Sequence, residues 1–130
     1  MNEAPIKIAI IGAGFIAGKH TAILKERSDV RIAAVIDTAP GAASEFIGKQ
    51  ELSGAEAYED LEIFLKQGAA DAAYVCLPPF AHDGQVEALA SKGMHVFVDK
   101  PIALESKRAQ SMVDAAERSG VRSQVGVHLR

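Results

Sequence analysis

Five short runs of apolar residues recur along the chain, at Ile6 to Ile11, Ile32 to Ile36, Ala72 to Leu77, His95 to Val98 and Val121 to Val127. They are rich in β-branched side chains and nearly continuous in apolarity. That pattern predicts strands covered on both faces, as in a parallel sheet, rather than strands with one wet face. A weaker run at Ala55 to Ala57 predicts a further strand between the second and third of these.

Between the runs, the apolar spacing changes to a helical period. The stretch "YEDLEIFLKQG" puts Leu61, Phe64 and Leu65 on one stripe and stops at Gly68. "HDGQVEALASKG" does the same with Val86, Leu89 and Ala90 and stops at Gly93. "LESKRAQSMVDAAERSG" places Ala109, Met112, Val113 and Ala116 on one face and stops at Gly120. Each glycine is expected to end its helix in the left-handed conformation. Strand and helix alternate throughout, which predicts an α/β fold with a doubly wound, mostly parallel sheet of six strands.

Composition narrows the picture without naming any chemistry. A length of 130 residues suits one domain, and 48% hydrophobic with 24% charged residues is ordinary for a globular core. The net charge of −3 is small and its carriers are dispersed, so neither nucleic acid nor an anionic membrane surface is an expected partner. Cys76 is the single cysteine and can form no internal disulfide; it reads as a small core residue. No run is long enough to span a membrane, and "MNEAPIK" lacks the pattern of a signal peptide, so a cytoplasmic location is expected. No metal site is expected.

Chemistry enters with "KIAIIGAGFIAGKH", in which the first strand runs through Gly12-x-Gly14-x-x-Ala17 into a helix. A glycine at 12 permits the tight turn, and one at 14 lets the backbone approach a pyrophosphate. A small residue at 17 keeps helix and strand close. The first amides of the helix, near Phe15 and Ile16, would face the anion. The second strand ends in Asp37, twenty residues after Ala17, where a carboxylate can accept hydrogen bonds from the ribose hydroxyls of an adenine dinucleotide. No arginine follows in "DTAPGAA" to neutralise a 2′-phosphate, so NAD is expected in preference to NADP. The plainer alternative is that the glycines make an ordinary turn and Asp37 caps the segment after it.

Two more strand ends carry unusual residues. "VCLPPFAH" closes the fourth strand with Leu77, Pro78 and Pro79 and brings His82 to the start of the next helix. "FVDKPIA" closes the fifth with Asp99, Lys100 and Pro101. In an open parallel sheet, ligands bind beyond the carboxyl ends of the strands, where all these residues fall. A lysine there could hydrogen-bond the oxygen of an alcohol under oxidation and move its proton. Alternatively, the prolines only end a strand, His82 is an ordinary first-turn residue, and Lys100 is a surface group beside Asp99.

The glycine loop, "AAVIDTAP", "YEDLEIFL", "VCLPPFAHDGQVEALASKGMHVFVDKPIAL" and "VGVHLR" together resemble the Gfo/Idh/MocA oxidoreductases in order and spacing, over essentially the whole chain. The resemblance implies a Rossmann domain at residues 1–130, cofactor half of an NAD(P)-dependent dehydrogenase acting on a sugar, inositol or similar polyol. It further implies that a second α/β domain, for substrate binding and oligomer formation, lies outside these residues. Full-length relatives would then be homo-oligomers, and the 130-residue chain alone would bind NAD without turning over substrate. A non-native dimer through surface that the second domain would cover is a further expectation.

By the same resemblance, Gly12, Gly14 and Ala17 map to the dinucleotide loop, and Asp37 to the ribose-binding acid. Leu77, Pro78 and His82 flank the nicotinamide side. Lys100 matches the catalytic lysine of a Glu-Lys-Pro signature, followed by the signature proline at Pro101. Asp99 stands where that signature has glutamate, one methylene longer. His128 and Arg130 resemble the start of the crossing into the second domain. The competing reading is a non-catalytic NAD-binding sensor or regulatory module, which would have no use for Lys100.

Overall fold

The computed structural model describes residues 5–77, 81, 84–99 and 106–126, with backbone alone at 99, 106–109 and 123–126. Strands β1 (Ile6–Ile11), β2 (Val30–Ile36), β3 (Glu56–Tyr58), β4 (Ala72–Val75), β5 (His95–Asp99) and β6 (Ser123–Gly126) alternate with helices. The helices are α1 (Phe15–Leu24), α2 (Ala42–Gln50), α3 (Leu61–Gln67), α4 (Gln85–Ser91) and α5 (Ser106–Ser119). The strands form one sheet in the order β3-β2-β1-β4-β5-β6, and every neighbouring pair is parallel. The α/β, doubly wound reading therefore stands.

Alternation of side chains sends each strand's residues to two cores, with one irregularity in β2, opposite Ile8 and Ala9, that puts Ile32 and Val35 on the same face. On one face, Ile11, Ile36, Val75, Val96 and Val98 pack with Phe64 of α3, Val86 and Leu89 of α4 and Met112 of α5. On the other, Ile8, Ile10, Ile32 and Val35 pack with Ala17 and Leu24 of α1 and with Ala43 and Phe46 of α2. Burial on both faces is what nearly continuous apolar strands require, since neither set of side chains has water to face.

Several local expectations need correction. Gly68 ends α3 in extended backbone at φ −101°, not in the left-handed region, whereas Gly93 (φ +83°) and Gly120 (φ +70°) are left-handed as expected. Space explains Gly68: a β-carbon there would lie 2.6 Å from the Phe64 ring and 2.9 Å from the Tyr58 hydroxyl. Asp60 starts the same helix, its carboxylate accepting the Glu62 N–H at 2.8 Å. On α5, Val113 is exposed, and Ala115 joins Met112 and Ala116 in the core. Strand β4 stops at Val75, two residues short of the predicted end, and β6 occupies the middle of its predicted run. Helix α2 carries only Ala43 and Phe46 inward as buried residues, too sparse a stripe to read as a period.

Candidate functional site

The sheet's register brings the glycine loop and the acid together. Ile11 is level with Ile36 on one side and Val75 on the other, and Val75 is level with Val98. Gly12, Asp37, Cys76 and Asp99 are each the next residue along, so they form a row at the carboxyl edge. Strand order reverses between β1 and β4, so a crevice opens beside Gly12. The ladder continues past the strands: Gly12 N–H donates to Ile36 C=O at 2.8 Å, and Cys76 N–H to Ile11 C=O at 2.8 Å.

Gly12 is required on two grounds. Its φ is +94°, and a β-carbon would sit 2.9 Å from both the Cys76 carbonyl oxygen and Leu77 Cδ2. Strain and collision therefore act together against any side chain. Gly14 is different. Its φ of −97° suits any residue, and nothing lies within 4 Å of where its β-carbon would be. The protein's own packing gives no reason for glycine there; open space beside a bare α-carbon is what a close-approaching group outside the chain would need. Ala17 is wholly buried between α1 and the sheet.

Helix α1 begins directly after Gly14, and Gly18 N–H donates to Gly14 C=O at 3.1 Å. The amides of Phe15, Ile16 and Ala17 precede that bond and have no helical carbonyl four residues back. No acidic side chain occupies the first turn to repel an anion. Phe15 is 77% exposed, and Lys19 Nζ lies 4.9 Å from the centre of its ring. Lys19 brings the local field a positive charge that the sequence reading did not single out; the i, i+4 spacing from Phe15 was the available signal.

Asp37 is half-buried and accepts two backbone hydrogen bonds. Ala13 N–H donates to Oδ2 at 2.8 Å, and Ala39 N–H donates to Oδ1 at 2.9 Å. The second is the local capping turn that the plainer alternative foresaw, formed alongside the bond to the glycine loop. A carboxylate offers about four lone-pair sites, so two accepted bonds leave capacity for two hydroxyl donors. Taken together, the bare Gly14, the helix amides and Asp37 fit a dinucleotide.

Leu77 is half-buried and flanks Gly12. Asp99 ends β5 at the same edge, where the structure describes its backbone only. Pro78, His82, Lys100 and Pro101, together with His128 and Arg130, lie outside the described residues. No metal-binding group of three or more His, Cys, Asp or Glu occurs among the described residues, and no helix among them is long and apolar enough to cross a membrane.

A hollow of about 520 Å³ lies elsewhere, lined by residues that include Ala72, Tyr74, His95, Phe97 and Arg122. It covers the amino-terminal halves of β4 and β5, the far end of the strands from Gly12. Tyr74 and Phe97 stack at 4.6 Å, and His20 of α1 meets both rings edge-on at 5.5 and 5.3 Å. Burial pushes the Tyr74 phenol above its ordinary pKa, with nearby Cys76 adding to the effect. Neither the glycine loop nor Asp37 is among the residues that line it.

Comparison with known proteins shows the family to which this fold belongs. The chain is 30% identical over 89% of its length to scyllo-inositol 2-dehydrogenase (NADP(+)) IolU of Bacillus subtilis. It is 32% identical over 97% of its length to inositol 2-dehydrogenase/D-chiro-inositol 3-dehydrogenase of Lactiplantibacillus plantarum. It spans 35% and 37% of these relatives, about a third of their length. Among solved structures, WlbA dehydrogenase from Bordetella pertussis, in complex with NADH and UDP-GlcNAcA, superposes with a TM-score of 0.86 at 28% identity. That match covers 94% of this chain and 37% of WlbA. A family model described as "Oxidoreductase family, NAD-binding Rossmann fold" matches residues 6–127, and the chain belongs to this Gfo/Idh/MocA family.

Proposed function

We propose that residues 1–130 form the cofactor-binding domain of a dehydrogenase that oxidises or reduces a sugar, inositol or similar polyol. The observation that carries this reading is Gly14: a glycine with ordinary φ and open space around it, next to helix amides without a helical carbonyl partner and two residues after Gly12, which is level with the acid Asp37 past the end of β2. Gly12 fixes the turn, Gly14 admits a diphosphate to the backbone, and the α1 amides at Phe15 and Ile16 hold it. The lone pairs left on Asp37 receive the ribose hydroxyls. Bound there, a nicotinamide supplies or accepts a hydride.

Lys100 comes directly after Asp99, the last residue of β5, in the sequence. Its proposed task is to hold the substrate oxygen and to take or return the hydroxyl proton. Leu77, Pro78, His82 and Pro101 would shape the surroundings of the reacting ring. A second domain would supply substrate specificity and the homo-oligomer contacts, in keeping with relatives nearly three times as long.

NAD is the proposed cofactor rather than NADP. Asp37 carries a negative charge where a 2′-phosphate would sit, and the residues that follow it, Thr38, Ala39 and Pro40, carry no cation. Losing charge-assisted hydrogen bonds costs about 1.5–3 kcal/mol, or about ten- to hundred-fold in affinity. Titrating this chain with NADH and NADPH by fluorescence tests the reading. NADH should bind more tightly by about that factor; equal or tighter NADPH binding contradicts the preference, and no binding of either contradicts the function.

A further inference from the structure

Asp37 does more at this edge than present lone pairs to a ribose. Its Oδ2 accepts the Ala13 N–H at 2.8 Å, across 24 residues of sequence and in a partly buried setting. Its other oxygen is held by Ala39 N–H at 2.9 Å, which fixes the carboxylate's orientation. The preceding loop amide, Gly12 N–H, is tied to Ile36 C=O, the residue before Asp37. Two consecutive amides of the glycine loop are thus anchored to two consecutive residues at the end of β2. Gly14, next in line, has no side chain to pack and nothing within 4 Å of its β-carbon position. No side chain therefore packs the loop at Gly14, where its carbonyl already accepts the Gly18 N–H of α1.

We infer that Asp37 is a positioning residue for the pyrophosphate site: through Ala13 N–H it holds the glycine loop in its binding geometry before any nucleotide arrives. This deepens the function proposed above and rests on it. Ribose reading and loop bracing are then one residue's two tasks. A substitution at 37 made to admit a 2′-phosphate would weaken NADPH along with NADH, unless another group took over the Ala13 amide.

Inorganic pyrophosphate separates the two tasks, because it has no ribose. In Asp37→Ala both acceptor oxygens are lost, so the Ala13 N–H has no side-chain partner, while a negative charge is removed from the neighbourhood of the anion. If Asp37 only reads ribose, pyrophosphate should bind the variant equally well or more tightly. If it braces the loop, pyrophosphate should bind about tenfold more weakly, by the loss of a charge-assisted bond that orders the site. Affinity equal to or above that of the unaltered chain overturns the inference.

Amide hydrogen exchange on the unaltered, ligand-free chain gives a second reading that needs neither a variant nor a ligand. The Ala13 amide should exchange at least about tenfold more slowly than an unprotected amide. Free exchange at Ala13 overturns the inference even if Asp37→Ala does not fold. Failure of NADH to bind, with Ala13 protected, would count against the proposed function and leave the brace standing.

Discussion

The two ends of the sheet's strands differ in a way that volume does not capture. At the amino ends of β4 and β5, a hollow of about 520 Å³ is floored by Tyr74 and Phe97 and bordered by His95 and Arg122. Within it His95 Nδ1 accepts the Arg122 N–H at 2.9 Å. At the carboxyl ends, Gly12 and Asp37 stand on one register row, Ala13 N–H is bonded to the Asp37 carboxylate, and Gly14 and the first amides of α1 follow directly in the chain. Parallel strands make this asymmetry. Each strand ends where the next helix begins, so helix amides collect at one edge and helix carbonyls at the other. A ligand rich in phosphate can therefore use only one of the two ends.

The largest expected effect falls on the turn itself. Gly12→Ala should destabilise the chain by about 2–4 kcal/mol, because left-handed strain and a 2.9 Å collision with Cys76 and Leu77 add. Chemical denaturation would measure this, and NADH binding should be lost with it. A fully stable Gly12→Ala would mean that the turn relaxes and the loop is not fixed as described.

The hollow should behave in the opposite sense. Phe97→Ala removes the Tyr74 stack and the edge contact with His20, at a cost of about 2 kcal/mol for a half-buried aromatic. NADH affinity, measured by titration on the same variant, should change by less than about twofold, which corresponds to a few tenths of a kcal/mol. A large loss of affinity would move the binding site toward the hollow.

Gly14→Ala sharpens the contrast most finely. The methyl enters open space at a φ that alanine adopts freely, so the melting temperature of the ligand-free chain should stay the same or rise slightly. NADH should nonetheless bind about tenfold more weakly, since the methyl stands between the backbone and the diphosphate. Unchanged NADH affinity would remove the reason offered for glycine at 14.

How far the sequence carried these conclusions depended on the kind of interaction. The glycine loop was legible because turn geometry and close approach restrict residue type at single positions, as Gly12 shows. Asp37 was legible as an acid at a strand end, yet its bond to Ala13 was not. The donor there is a backbone amide, which any residue but proline would supply. Gly68 misled for a related reason: its backbone is extended, and the demand for glycine comes from the Phe64 ring and the Tyr58 hydroxyl, brought close by folding. Helix α2 was silent because two inward side chains, Ala43 and Phe46, make no detectable period. Val113 was assigned to the core because the period alone cannot tell which flank of an apolar stripe the neighbouring helix covers.

The central claim is that a dinucleotide lies across the carboxyl edge and not in the hollow beside Tyr74 and Phe97. Amide chemical shifts of this chain, followed through a titration with NADH, test it residue by residue. Saturable shifts at Ala13, Gly14, Phe15, Ile16 and Ala39, with His95, Phe97 and Arg122 unmoved, are the predicted result. Shifts concentrated at His95, Phe97 and Arg122, or none at any concentration, would contradict the account.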